Sequence, residues 1–214
     1  MSFSKLRFLL LGLSILALGI ILGTFFWLKL APRPGLTGWD AKPLEGLHRY
    51  GAVPEFSLVE RSGKQTTLND LRGSIWVADF IYTTCTDTCP MQTAAMARLQ
   101  EEWKDKTELK LASFSVDPET DTTEVLSRYA DRYKAGQRWF FLTGDKEEIG
   151  RLVQEGFKLS AVPVVNAGGT ESVILHSPRF VLIDKQAQIR GYYDSRDQQA
   201  LERLKKDVET LIDG

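Results

Sequence analysis

The sequence predicts an α/β domain, a mixed central sheet flanked by helices, carried behind one N-terminal transmembrane helix. Three observations predict it. Residues 8–28, FLLLGLSILALGIILGTFFWL, hold no charge. Beyond them, short β-branched or apolar runs alternate with segments of helical period, an order that needs crossover connections and so a sheet containing parallel strands. The chain has 214 residues, 43% of them apolar and 26% charged, a globular balance; about 170 residues after the linker are enough to bury a core without disulfide staples.

The uncharged run is 21 residues long, which as a helix spans about 31 Å, the thickness of a bilayer core. A signal peptide has a shorter apolar stretch ending in small residues. This run ends in Phe25, Phe26 and Trp27, which suit the membrane interface. We therefore expect a short N-terminal cytoplasmic segment 1–7, an uncleaved transmembrane helix 8–28, a Pro- and Gly-rich linker 29–46, and a folded domain 47–214. Lys5, Arg7 and the terminal amine on the leading side give a slight bias toward the N-terminus inside.

Within the domain, Val53–Val59 and Gln65–Thr67 flank the turn signal Arg61-Ser62-Gly63-Lys64 and read as a hairpin. Ser74–Tyr82 is short and nearly all apolar, as a strand buried on both faces should be. A helix follows from Pro90 to Trp103, with Met91, Ala94, Ala95, Leu99 and Trp103 as its apolar stripe. Leu109–Val116 is the next strand, and Asp121 with Glu124 has the spacing of a capping box before Val125, Leu126, Tyr129 and Tyr133 at helical intervals. Trp139–Thr143 reads as strand and Lys146–Glu155 as helix. Val173–His176, Phe180–Ile183 and Gln188–Tyr192 are further strands, the last two joined by a turn at 184–187. Leu201, Leu204, Val208 and Leu211 mark a terminal amphipathic helix.

Charge divides the chain into unlike parts. Of 27 basic and 28 acidic side chains, the first 34 residues carry four basic ones and no acid, so the domain is acidic, which argues against general nucleic-acid affinity. Two cysteines and two histidines leave no room for a multi-disulfide scaffold, and a four-ligand zinc cage would consume all of them. His48, alone at the domain's entry, reads as a surface or packing residue.

Both cysteines stand in TTCTDTCPM, Cys85 and Cys89 four apart, after the buried strand and before the helix. A helix N-terminus favours an anion, so a thiolate there is expected to have a lowered pKa. The spacing sets both sulfurs on one side of a turn, close enough to form a disulfide or hold one soft metal ion. A bridge over so small a loop would add little as a staple.

The blocks DFIYTTCTDTCP (79–90), FSVDPETDT (114–122), WFFLTG (139–144), HSPRFVLID (176–184) and IRGYYD (189–194), with YGAVPEFSL (50–58), resemble the SCO/SenC family of membrane-anchored, thioredoxin-like copper proteins, in family order. The resemblance implies a thioredoxin-like fold and a site for one copper ion, Cu(I) or Cu(II), formed by Cys85, Cys89 and His176. Two soft thiolates and one imidazole suit either oxidation state, and three ligands leave the site open enough to pass its metal on. It also implies a metallochaperone that delivers copper to, and helps reduce the cysteines of, the binuclear copper site of a respiratory cytochrome oxidase. The partners would be the copper-receiving oxidase subunit and a thiol reductant or second copper carrier. The location would be the inner membrane, single-pass, with the domain on the periplasmic side. One departure is Leu175, where many members have Asp before the ligand histidine. Met91 and Met96 read as helix core rather than ligands, and Asp117 as a turn or cap residue.

The alternative function is a thiol-disulfide oxidoreductase that cycles Cys85 and Cys89 as a redox-active disulfide without delivering copper. A peroxide-reducing enzyme is disfavoured, because no proline occurs between Pro54 and Pro90 to build a peroxiredoxin-type motif before the cysteines.

Overall fold

The computed structural model describes residues 46–86, 88–159, 162–165, 171–174 and 177–214, together with Gly19; for 162–165 and 171–174 only the backbone is described. The predicted transmembrane helix 8–28, apart from Gly19, and linker residues 29–45 lie outside the described residues, and among the described ones no helix is long and apolar enough to cross a membrane. The chain divides into two compact units, Met1–Lys42 and Pro43–Gly214. All elements below belong to the second.

Strand β1 (Gly51–Ala52) is followed by the hairpin β2 (Ser57–Glu60) and β3 (Gln65–Thr67), a 3-10 turn at Leu68–Asp70 and β4 (Ile75–Ile81). Helix α1 (Thr88–Glu102) leads to β5 (Leu109–Ser115), α2 (Thr123–Arg132) to β6 (Trp139–Thr143), and α3 (Lys146–Arg151) continues into a π-helical turn at Leu152–Gly156. The chain ends with β7 (Val162–Val165), β8 (Glu171–Ile174), β9 (Arg179–Ile183), β10 (Gln188–Asp194) and α4 (Gln198–Asp213).

Among the described residues the main sheet has the strand order β1-β10-β9-β4-β5-β6-β2-β3, and β7 with β8 forms a separate antiparallel pair. β4 pairs parallel with β5, and β5 with β6, through the crossovers α1 and α2; β9, β10 and β2 run antiparallel to their neighbours. The sheet is therefore mixed, as the alternation of elements requires. The β2–β3 hairpin turns on Gly63 at φ +84°, a left-handed conformation in which glycine is unstrained, and its N–H donates to Glu60 O at 2.7 Å.

All seven residues of β4 are buried, and their alternation sorts the core into two layers. Trp76, Ala78 and Phe80 face one layer with Phe114, Leu152, Val153 and Phe157. Ile75, Val77 and Ile81 face the other, where α1, α2 and α4 contribute Met96, Leu99, Leu126, Tyr129, Leu204 and Val208. Helices thus cover both faces.

Several expectations are corrected. Helix α1 begins at Thr88, two residues before Pro90, and Met91 is 56% exposed. The buried face of α1 starts with Cys89, Gln92 and Thr93, and only later becomes apolar with Ala95, Met96 and Leu99, so hydrophobicity alone misplaces its first turn. The N-cap of α2 is Thr122, whose side chain accepts the Val125 N–H; Asp121 points inward instead. The expected helix 146–155 is α-helical only to Arg151. β1 is too short to leave a pattern, and β7 carries Pro163, a residue that argues against a central strand but is tolerated in an isolated pair. Of the strand expected at 173–176, Val173 and Ile174 lie in β8, while Leu175 and His176 are outside the described residues.

Phe114 is the hub of the first layer, with ring centroids 5.7 Å from Phe56, 5.4 Å from Phe80 and 5.5 Å from Phe157. Phe114→Ala is expected to destabilise the domain by about 3–5 kcal/mol, since a buried aromatic ring leaves a cavity its neighbours cannot close; urea unfolding of the two proteins checks this.

Candidate metal centre

The two cysteines leave the sheet together. β4 ends at Ile81, the loop carries Cys85, and the first turn of α1 carries Cys89. The Cys85 N–H donates to Tyr82 O at 3.2 Å, and the Cys89 N–H donates to Cys85 Sγ at 3.4 Å. Neither cysteine is in a disulfide; Cys85 is half-buried and Cys89 only 6% exposed. The chain thus folds the four-residue spacing into one pair of adjacent soft donors, one facing outward and one inward.

The expected lowering of the thiol pKa does not hold at Cys89. Burial pushes this thiol well above its ordinary value, against a hydrogen bond from the Tyr82 backbone that favours the thiolate, and Cys85 and Asp79 raise it further. Loss of solvation outweighs the partial charge of the helix end. Cys89 is therefore a protonated thiol at neutral pH, and metal binding must displace its proton.

Two buried carboxyls flank the pair, and neither was a candidate from the sequence. Asp121, at the entrance to α2, receives the Thr83 N–H at 3.2 Å on both oxygens, the Thr83 hydroxyl at 2.5 Å and the Ser115 hydroxyl at 2.7 Å. Burial raises its pKa, and the Ser115 and Thr83 hydrogen bonds oppose that. Asp79 lies in β4 on the face shared with Val77 and Ile81. Its Oδ1 accepts the Ser113 hydroxyl at 2.5 Å, Ser113 Oγ in turn accepts the Trp139 indole N–H at 2.9 Å, and Oδ2 has no partner among the described residues. Burial pushes Asp79 up to about 7, with only the Ser113 hydrogen bond opposing. The signal was present in the sequence: an aspartate inside an otherwise apolar strand, six residues before Cys85.

His176 lies outside the described residues. The strand that follows it is described: β9 runs antiparallel to β4, so Arg179 enters the sheet at the end from which the cysteine loop leaves. Gln92, one turn beyond Cys89, donates its Nε2–H to Arg179 O at 3.4 Å, tying α1 to that strand. Met96 is fully buried core, Asp117 closes a turn by accepting the Thr120 and Asp121 N–H groups, and His48 is exposed with its ring edge-on to Tyr50. Among the described residues no three His, Cys, Asp or Glu side chains form a metal-holding group.

A model of the SCO1/SenC family matches residues 46–213. The chain belongs to the SCO1/SenC family. It is 31% identical over 161 residues to the SCO1 protein homolog of Bacillus subtilis, covering 74% of this chain and 81% of that protein. A putative copper-binding protein of Stutzerimonas stutzeri is 31% identical over 148 residues, covering 68% and 71%. The solved structure of BsSco, a member of the Sco family of cytochrome c oxidase assembly proteins in which a disulfide switch was identified, superposes with a TM-score of 0.65 at 30% identity, covering 78% and 96%. The mixed α/β architecture is thus that of the SCO1/SenC family.

Asp79 gives this domain a pH signature. Its folded-state pKa of about 7 lies above the ordinary value of about 4, so folding takes up a proton in that window and stability falls as pH rises through it. Asp79→Asn is expected to be nearly neutral at pH 4 and to raise the unfolding free energy at pH 8 by about 2 kcal/mol or more; urea titrations at the two pH values check it.

Proposed function

We propose that this protein is a copper-binding metallochaperone that carries one copper ion to the binuclear copper site of a respiratory cytochrome oxidase, with Cys85, Cys89 and His176 as its ligands. The observation that carries the reading is the pair of thiols, not joined in a disulfide, with half-buried Cys85 on the loop and buried Cys89 in the first turn of α1. Two adjacent soft donors suit Cu(I), whereas hard cations prefer oxygen ligands. A buried thiol on one side and a more accessible one on the other permit stepwise ligand exchange with a recipient. Membership in the family supports the reading, as do a copper-binding relative and a structural neighbour named for oxidase assembly.

His176 is the proposed third ligand, supported by its place three residues before Arg179, where β9 enters beside the loop. The uncharged run 8–28 is the proposed single-pass inner-membrane anchor, placing the domain on the periplasmic side, where the recipient copper centre would be met. There the pair must be kept reduced, because a disulfide cannot bind the metal, so a thiol reductant is a further proposed partner.

A second reading, thiol-disulfide exchange with a protein partner, is favoured by the contact between the Cys89 N–H and Cys85 Sγ, which places the sulfur of one residue against the backbone of the other. The disulfide switch of BsSco supports it as well. The two activities are compatible, since oxidation of the pair would gate metal loading.

Chelator competition with the full chain, reduced and in mild detergent, decides between them. One Cu(I) per chain is expected, with affinity rising about tenfold per pH unit for each thiol proton displaced. Cys85→Ser should abolish tight binding, and His176→Ala should weaken Cu(II) more than Cu(I). A wild-type protein that retains no copper yet reduces a protein disulfide would sink the chaperone reading and leave the exchanger.

A further inference from the structure

Asp121 receives more hydrogen bonds than its place before a helix calls for. Thr122 already caps α2, so the carboxylate is free of that task. Three of its four contacts go to Thr83, two residues before Cys85 and 38 residues away in sequence. The Thr83 N–H belongs to the same planar peptide as the Tyr82 carbonyl, and that carbonyl receives the Cys85 N–H at 3.2 Å. The backbone of Tyr82 also reaches the Cys89 sulfur. One peptide plane, gripped from behind by Asp121, therefore meets Cys85 through its carbonyl and adjoins the contact to Cys89.

We infer that Asp121 is the positioning residue of the cysteine loop: it fixes the Tyr82–Thr83 peptide and so sets where the two thiols stand relative to each other. The inference rests on the reading of these thiols as soft-metal ligands. Ser115 completes the clamp, since its hydroxyl donates to Oδ2 of Asp121 while its oxygen accepts the Asp117 N–H at 3.1 Å. The carboxylate is thus anchored to the end of β5, a rigid part of the sheet, and transmits that rigidity to a loop with little packing of its own. The effect resembles that of partners behind a ligand in metal sites, which orient donors without touching the metal.

The test uses the full chain, reduced and in mild detergent, with two readouts. One is Cu(I) affinity by chelator competition, and the other is the ratio of alkylation rates of Cys85 and Cys89 in the metal-free protein. Asp121→Ala is expected to weaken Cu(I) binding by about 10- to 100-fold, the usual range for loss of a residue that orients a ligand, and to bring the two alkylation rates together. Asp121→Asn keeps a carbonyl oxygen for the Thr83 N–H and should recover most of both. Leu204→Ala, in the core under α4, is the control for stability alone: it should lower the unfolding midpoint while leaving affinity and ratio as in the wild type. If Asp121→Ala does not fold, Thr83→Val removes the 2.5 Å hydroxyl contact with little change in volume and should shift both readouts in the same direction. Wild-type values in Asp121→Ala or in Thr83→Val overturn the inference, as does an equal loss in Leu204→Ala. A wild-type protein that binds no Cu(I) overturns the copper reading instead, and the alkylation ratio then still decides the role of Asp121.

Discussion

The parallel ladder between β4 and β5, seven residue pairs from Ile75↔Leu109 to Ile81↔Ser115, is the constraint on which the site depends. Parallel neighbours end side by side, so the loops that leave them meet at one edge of the sheet. One loop carries Cys85 and leads into the first turn of α1 with Cys89, and the other carries Asp117 and Asp121. The ladder continues one step into that edge, where the Val116 N–H donates to Ile81 O. Right at this point Asp121 takes hold of Thr83. The same parallel pairing forces a crossover, and the crossover is α1, whose first turn holds Cys89. On the opposite side of β4 the antiparallel β9 brings its first residues to the same edge. Three segments distant in sequence converge because one strand is buried on both faces.

Burial at that edge decides the chemistry of the Cys89 thiol. A helix N-terminus stabilises a thiolate by partial charge, but only where the sulfur retains solvation or a strong donor. Cys89 is inside the domain, so desolvation dominates and the thiol keeps its proton. Asp79 strengthens this, because an ionised carboxylate in the same layer opposes a second negative charge, and no cation among the described residues offsets it. The titratable groups facing Asp79 are Cys89 from α1 and Tyr129 from α2, and its charge raises both. Cys89 is therefore a weak nucleophile by itself. A bound soft cation would supply the positive charge that replaces its displaced proton.

A metal ion compensates the negative charge created when the pair ionises, whereas attack on a disulfide must generate a thiolate without that help. The SCO1/SenC membership of residues 46–213 supplies the biological frame, and the proposed cargo and recipient follow from it.

Local pattern was enough for much of the framework. The β2–β3 hairpin, β4, β5, β6 and α4 stand where alternation, apolar runs and turn residues place them, because each of these elements is determined by its own burial period. The adjacency of Cys85 and Cys89 was also legible, since four residues at a helix start leave few geometries. What depended on long-range contact was not. Asp121 has the spacing of a cap, yet its side chain turns to Thr83 because β4 and β5 are neighbours. Met91 fits an apolar stripe, yet Gln92 and Thr93 hold the buried face, where they bond Arg179 O and the Tyr129 hydroxyl. The thiol pKa followed the depth of Cys89 rather than its position on a helix. By itself the sequence determined most of the framework, that two thiols stand four residues apart at a strand-to-helix junction, and the family. Only the tertiary structure decided which carboxylate grips that loop and how deep each sulfur lies, because solvation and side-chain partners depend on segments that pair across the sheet rather than along the chain.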